Sequence, residues 1–318
     1  MTAQGPAAPD WRPAASIDAL RRRAAHLARI RRFFAARDVL EVETPVLASA
    51  GVTDVNIEGL REQVTGRWLQ TSPEYAMKRL LAAGIGDCYQ ISRVFRAGES
   101  GRLHNPEFTL LEWYRVGWDG PALMTEVADL VDSVLGPMTP ARRDYRDAFV
   151  DAGLPDPLCA AEASLRDATR QAIGDPLPAD LDRAGCLDLL LDAVVVPSLP
   201  TRCWLTGYPA EQAVLARLDP TDSQRAARFE LFCEGVELAN GFEELTDAAA
   251  LRERFAMDQQ RRRQRGETPP AMDERLLAAM QAGMPGCAGV AVGLDRLFML
   301  AEGASSLEAV IAFPWERA

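Results

Sequence analysis

Two runs of alternating side chains, residues 88–96 and 108–116, joined by one polar, glycine-containing loop, constrain the fold more than any other stretch of this sequence. Runs of this kind in close succession pair as an antiparallel hairpin. The tip, residues 97–107, is unusually long, and long tips often carry function. Side chains of a strand alternate between its faces, so Phe108, Leu110, Glu112 and Tyr114 share one face and a carboxylate and a phenol point the same way. On its own this admits a bland reading, in which Glu112 pairs with an arginine of the neighbouring strand and Tyr114 packs. The tip adds Arg96, Ala97, Gly98, Glu99, Arg102, His104 and Asn105 in one loop. That is a poor way to fill a surface and a good way to hold a nucleotide. An arginine at a strand end neutralises a phosphate and stabilises the charge that develops when a carboxylate attacks it.

Helical signals surround the hairpin. Ser16 is a cap for a helix with Leu20, Ala24, Leu27, Ile30 and Phe34 on one face and arginines on the other. Residues 39–44 then alternate and stop at Pro45, as a half-buried edge strand would. Residues 68–71 predict a short strand, and Ser72, Pro73 and Glu74 open a helix closing near Gly84. Residues 123–135 are helical, 137–200 form an uncertain helical insertion, and 247–266 form a polar helix. Residues 1–15 are an Ala- and Pro-rich disordered lead, leaving 16–318 as one domain.

Two further constellations carry chemistry. Residues 228–238 alternate around Glu234 and Gly235, and the segment 235–245 holds Glu237, Leu238, Glu243 and Glu244, with acids seven positions apart bracketing a glycine turn. Carboxylates so placed can converge on a divalent cation bridging phosphates, or on an ammonium group; solvated acids on a hairpin are the competing reading, strongest for Glu243. In 289–296, a strand bounded by Gly289 and Gly293 enters a helix with Arg296 in its first turn, where backbone and the positive helix end can approach an anion.

Composition excludes several classes. The formal net charge of -11 argues against a basic surface gripping nucleic acid. No apolar stretch reaches the roughly 18 residues of a membrane span and no signal peptide is visible, which predicts a cytoplasmic location. The six cysteines are scattered and the only histidines are His26 and His104, so neither a zinc site nor a disulfide framework is suggested. Lys78 is the only lysine; a codon bias toward arginine is the simplest account, and a functional reason stays open.

Together these segments resemble the class II aminoacyl-tRNA synthetases, and within them the lysine branch. The helix and Val39 to Pro45 look like motif 1, Arg96 through Glu112 and Tyr114 like motif 2, and 289–296 like motif 3. Thr71 to Glu74, His104 to Thr109, and Asn240, Gly241 and Phe242 supply lysine-branch detail. The resemblance implies an α+β fold, the class II catalytic domain, with an antiparallel sheet flanked by helices, and a homodimer through motif 1. It also implies ATP as substrate with Mg2+. By the same resemblance Arg96 and Arg296 are catalytic. Ala97, Gly98, Glu99, Asn105, Glu237, Leu238 and Gly293 join them in the ATP site; Ser72, Pro73, Glu74, Tyr114 and Glu244 bind the amino acid; Glu237 and Glu244 hold the metal. The family commonly has an acid two residues after the motif 2 arginine, where this sequence has Gly98 and then Glu99.

Motif 1 begins almost at once, which leaves no room before it for an anticodon-binding domain. The short form is similar to ligases that attach (R)-β-lysine to a lysine of elongation factor P, which like this chain carry alanine where synthetases carry glycine, here Ala291. That implies elongation factor P as acceptor and no tRNA. The alternatives are a truncated synthetase charging tRNA with α-lysine, a relative making a small amide, and a non-catalytic synthetase-like regulator, which would be expected to have lost the motif arginines.

Overall fold

In the computed structural model, which describes residues 11–318, ten strands and nine α-helices are found among those residues. Eight strands form one sheet in the order β1 (Leu40–Glu41), β4 (Cys88–Phe95), β5 (Glu107–Val116), β10 (Cys287–Gly293), β9 (Val236–Glu243), β8 (Arg228–Cys233), β7 (Arg202–Thr206), β6 (Ala141–Asp144). Its interior is antiparallel, and only the outermost pairs, β1 with β4 and β6 with β7, run parallel. β2 (Leu47–Ala48) and β3 (Trp68–Leu69) make a separate two-stranded sheet. The expected hairpin is β4–β5, with Cys88 opposite Tyr114. A second hairpin joins β8 and β9 through Glu234 and Gly235, both at positive φ (53° and 73°), the conformation a two-residue turn needs to match strand twist.

Period-two alternation divides the sheet's faces. One face buries Tyr89, Leu111, Trp113, Val290 and Val292 against α1 (Ile17–Ala35), α3 (Gly120–Leu135) and α9 (Leu294–Ala301). Ser16 Oγ accepts from Ala19 N–H at 3.1 Å at the start of α1, as its cap position predicts. Arg23 of α1 turns inward, its guanidinium 2.6 Å from the buried Asp295 carboxylate, which also accepts from Thr109 N–H at 2.8 Å. One charge pair thereby ties α1, β5 and α9 together. A second core packs α2 (Glu74–Ala82), α7 (Ala248–Gln264) and α8 (Glu274–Gly283) against the end of the sheet that holds Cys88 and Tyr114.

Several expectations change in the structure. The half-buried strand at residues 39–44 shrinks to Leu40–Glu41, with Leu40 51% exposed, since its outer side has no partner strand. The insertion is helical in part, with α4 (Tyr145–Asp151), α5 (Glu162–Ile173) and α6 (Arg183–Leu190) around a core of their own. It also supplies edge strand β6, which pairs with β7. The disordered lead falls outside the described residues for 1–10; beyond it, Ala14 N–H donates to Ala312 C=O at 2.8 Å and Ala15 is buried, because the C-terminal segment lies alongside. No helix among the described residues is long and apolar enough to cross a membrane.

Candidate active site

The other face of the sheet is the floor of a cavity of about 650 Å³. Strand register determines which side chains meet on it, since directly opposed residues project to the same side. One rung runs Gln90, Glu112, Ala291, Asn240, Glu230 across five strands, and the next runs Cys88, Tyr114, Gly289, Phe242, Arg228. Phe108, Leu110, Glu112 and Tyr114, the predicted face of β5, all line the cavity.

Carboxylates gather at one end. Glu112 is buried and accepts from Ser72 Oγ at 2.6 Å and from Tyr114 Oη at 2.5 Å, so it pairs with no arginine of β4 and Tyr114 does more than pack. Burial, and then the neighbouring Glu74, push its carboxyl up to about 8. Glu244, just past β9, is buried and raised to about 7 by that burial, against the pull of Lys78. The Lys78 ammonium lies 2.6 Å from Glu74 and 2.7 Å from Glu244. Ser72 Oγ also accepts from Glu74 N–H at 3.0 Å, so the turn that opens α2 aims Ser72 and Glu74 at β5. Pro73 supplies the helix entry. Gly289 leaves room for all of this: a Cβ there would fall against Tyr114 and Glu244.

Arginines occupy the other end. Arg296, in the first turn of α9, donates to Glu237 C=O at 2.9 Å and to Leu103 C=O at 3.2 Å, and stands 3.3 Å from the Glu237 carboxylate. Its Nη2 is 2.7 Å from His104 Nε2. Burial and Arg296 lower the affinity of that imidazole for a proton, which suits an acceptor role. Arg96 is held loosely, 3.4 Å from Thr71 C=O and 3.7 Å from Glu99, its guanidinium over the Phe108 ring. Both arginines, Glu99, Asn105, Leu238 and Gly293 line the cavity.

The structure redistributes several predicted residues. Ala97 and Gly98 are not in the lining; Ala97 N–H bonds to Glu58 C=O, and Gly98 makes the turn at a φ of 75°. The Asn105 amide is used internally, donating to Glu107 C=O at 2.6 Å and accepting from Trp315 N–H at 2.9 Å. Glu237 and Glu244 do not converge on one cation. The glycine between them, Gly241, lies inside the continuous strand Val236–Glu243 against the Phe229 ring, so the two acids sit at opposite ends of β9, roughly 23 Å apart at strand rise. Glu244 belongs to the carboxylate end, paired with Lys78.

The acid that joins Glu237 is Glu230, which sequence reasoning missed. It is buried, bonded by Tyr208 Oη and Arg228, and raised to about 7 by burial, with Glu237 adding to the rise. Its signal was present: Glu230 alternates inward in β8, two residues from Arg228 and across the hairpin from Asn240, in the cavity that Glu237 also lines. Among the described residues no group of three or more His, Cys, Asp or Glu is set to hold a metal alone. A Mg2+ bound by one or two carboxylates together with substrate phosphates needs no more than Glu230 and Glu237, so the residues fit that ion. The insertion contributes Asp182, Asp188 and Asp192 to the cavity wall, with Asp188 accepting from Gln212 at 2.7 Å.

The cavity thus has a carboxylate-lined end, an end with Arg96 and Arg296, and a short floor between them. The model of one protein family, the class II tRNA synthetases (D, K and N), matches residues 8–317.

Proposed function

This chain belongs to the class II tRNA synthetases of the D, K and N group, which makes it an ATP-dependent ligase; from that premise we propose that it activates (R)-β-lysine and transfers it to a lysine ε-amino group of elongation factor P. The observation that carries the reading is the polarity of the cavity. Glu74, Glu112 and Glu244 with Tyr114 gather at one end, and Arg96 and Arg296 at the other. A diamino acid placed along this axis puts its ammonium groups on carboxylates and its own carboxylate toward the arginines.

The carboxylate oxygen then attacks the α-phosphorus of ATP, the bond to the β-phosphate oxygen breaks, and pyrophosphate leaves. Arg96 and Arg296 stabilise the charge on the phosphoryl oxygens and hold the reactants in line. Glu230 and Glu237 would hold a Mg2+ ion, which when bound neutralises phosphate charge. The uncharged acceptor amine next attacks the acyl carbon, AMP leaves, and the amine's proton passes to solvent.

Two features favour the proposed substrates. Ala291 lies between Glu112 and Asn240 in the floor rung, so its methyl shapes the place where an α- and a β-amino group differ. The net charge of -11 suits a protein acceptor better than tRNA. Acylation of a translation factor places the enzyme in the cytoplasm. Edge strand β1, with Leu40 exposed beside α1, is the surface on which a homodimer would form; sedimentation as a monomer at micromolar concentration would refute that part.

The test is amino-acid-dependent ATP–pyrophosphate exchange with α-lysine and both β-lysine enantiomers, followed by the intact mass of elongation factor P. Exchange with (R)-β-lysine and a gain of one lysyl unit on the factor is expected. Exchange with α-lysine alone and acylated tRNA would overturn it.

A further inference from the structure

The single lysine of the chain lies behind the amino-acid end of the cavity. Lys78 is 2% exposed and does not line the cavity, but both of its carboxylate partners do. Glu74 reaches it from one turn earlier on α2 and Glu244 from the end of β9, at 2.6 and 2.7 Å. Among the described residues neither acid has another ion-pair partner, and Glu112 has none. A buried ammonium is retained only when paired, and removing one member of such a set leaves an uncompensated charge.

Among the described residues no other cation is paired with these acids: Arg254 of α7 lines the cavity, but its guanidinium donates to Val214 and Ala216 carbonyls. The Tyr114 phenol on β5 and the Cys287 thiol on β10 are both held protonated by burial, and Glu112 is an acid. Three acids and one fixed ammonium therefore leave the site an excess of acidic groups. An acid with two ammonium groups, its own carboxylate directed to the arginines, carries positive charge to set against that excess.

We propose that Lys78 is a positioning residue, a built-in counter-charge that holds the Glu74 and Glu244 carboxylates side by side and offsets their mutual repulsion at the substrate-ammonium end of the site. This rests on the diamino-acid ligase reading above. With the ammonium removed, Glu74 and Glu244 repel each other in a dry site, and the pair takes up a proton at higher pH than in the wild type. A neutral carboxyl no longer binds an ammonium. The binding limb of the pH profile then moves upward by roughly one to three units, the usual effect of one close charge.

The experiment is pyrophosphate exchange by wild type and Lys78→Met across pH 6 to 9.5, with KM and kcat separated. For the variant we expect the diamino-acid KM at neutral pH to rise about tenfold or more and to recover at alkaline pH, as one to three shifted units require, with KM for ATP unchanged. A purely structural lysine would lower the amount of active protein and leave the pH limb in place, and that result overturns the inference. Should the variant not fold, wild-type protein grown on ε-13C-lysine gives one resonance, from Lys78 alone. That resonance is expected to stay that of a charged ammonium above pH 10 and to shift on saturation with the diamino acid; titration at or below its ordinary range of about 10.4, or indifference to the ligand, overturns the inference. Wild type that exchanges with no diamino acid defeats the functional reading itself, which distinguishes the two failures.

Discussion

Replacing Gly289 by alanine tests the geometry of the amino-acid site directly. A Cβ at that position would stand 2.5 Å from Tyr114 Cδ1 and closer still to Tyr114 Cε1 and Glu244 Oε1. Carbon atoms in contact prefer about 3.5–4.0 Å, so the ring and the carboxylate must each yield by about 1 Å. The backbone cannot yield instead, because Gly289 is paired on both sides, to Tyr114 of β5 and to Phe242 of β9. Overpacking of this kind costs about 1–3 kcal/mol of stability. A displacement of about 1 Å in groups that position a substrate lowers turnover by about a hundredfold. In pyrophosphate exchange, kcat/KM for the amino acid should therefore fall about a hundredfold while KM for ATP holds. Gly286→Ala is the control, since a Cβ there meets nothing within 4 Å. If Gly289→Ala retained kcat/KM within about threefold of wild type, Tyr114 and Glu244 would not be the substrate-positioning pair.

Three further perturbations address the remaining parts of the site. Arg296→Ala removes the guanidinium bonded to Glu237 and beside His104 and should lower exchange by at least about 10²-fold; substantial surviving exchange would remove it from the phosphate site. Ala291→Gly empties the floor between Glu112 and Asn240 and should move the ratio of specificity constants toward α-lysine by roughly tenfold, the scale of one methyl in a pocket; an unchanged ratio would show that the methyl does not set the choice. Glu112 holds its proton up to about 8 in the folded protein, chiefly through burial. Its contribution to stability is therefore full below the ordinary carboxylate range and lost as pH rises through about 8. The melting temperature of ligand-free protein should decline across that window, and Glu112→Gln should flatten the decline; equal slopes in the two proteins would contradict the assignment.

Local rules in the sequence determined much of this protein. Period-two alternation placed Glu112 and Tyr114 on one face, because side-chain direction in a strand is a property of the backbone alone. The cap at Ser16, the turn at Glu234 and Gly235, and the helix start after Pro73 likewise follow from a few adjacent residues. Motif residues Arg96 and Arg296 are each placed at the end of an element by local sequence, and both line the same cavity. Tertiary structure alone decided which acids meet. Glu244 and Glu237 are close in sequence yet separated by the length of β9, whereas Glu74, Glu112 and Glu244 come from three distant segments that converge only when β5, β10 and β9 pair in register. That register also brought Glu230 into the cavity that Glu237 lines, seated Gly289 against Tyr114, and gave the lone Lys78 its two carboxylates. Pairing between strands more than a hundred residues apart is settled by the burial of whole faces, and no local pattern encodes it.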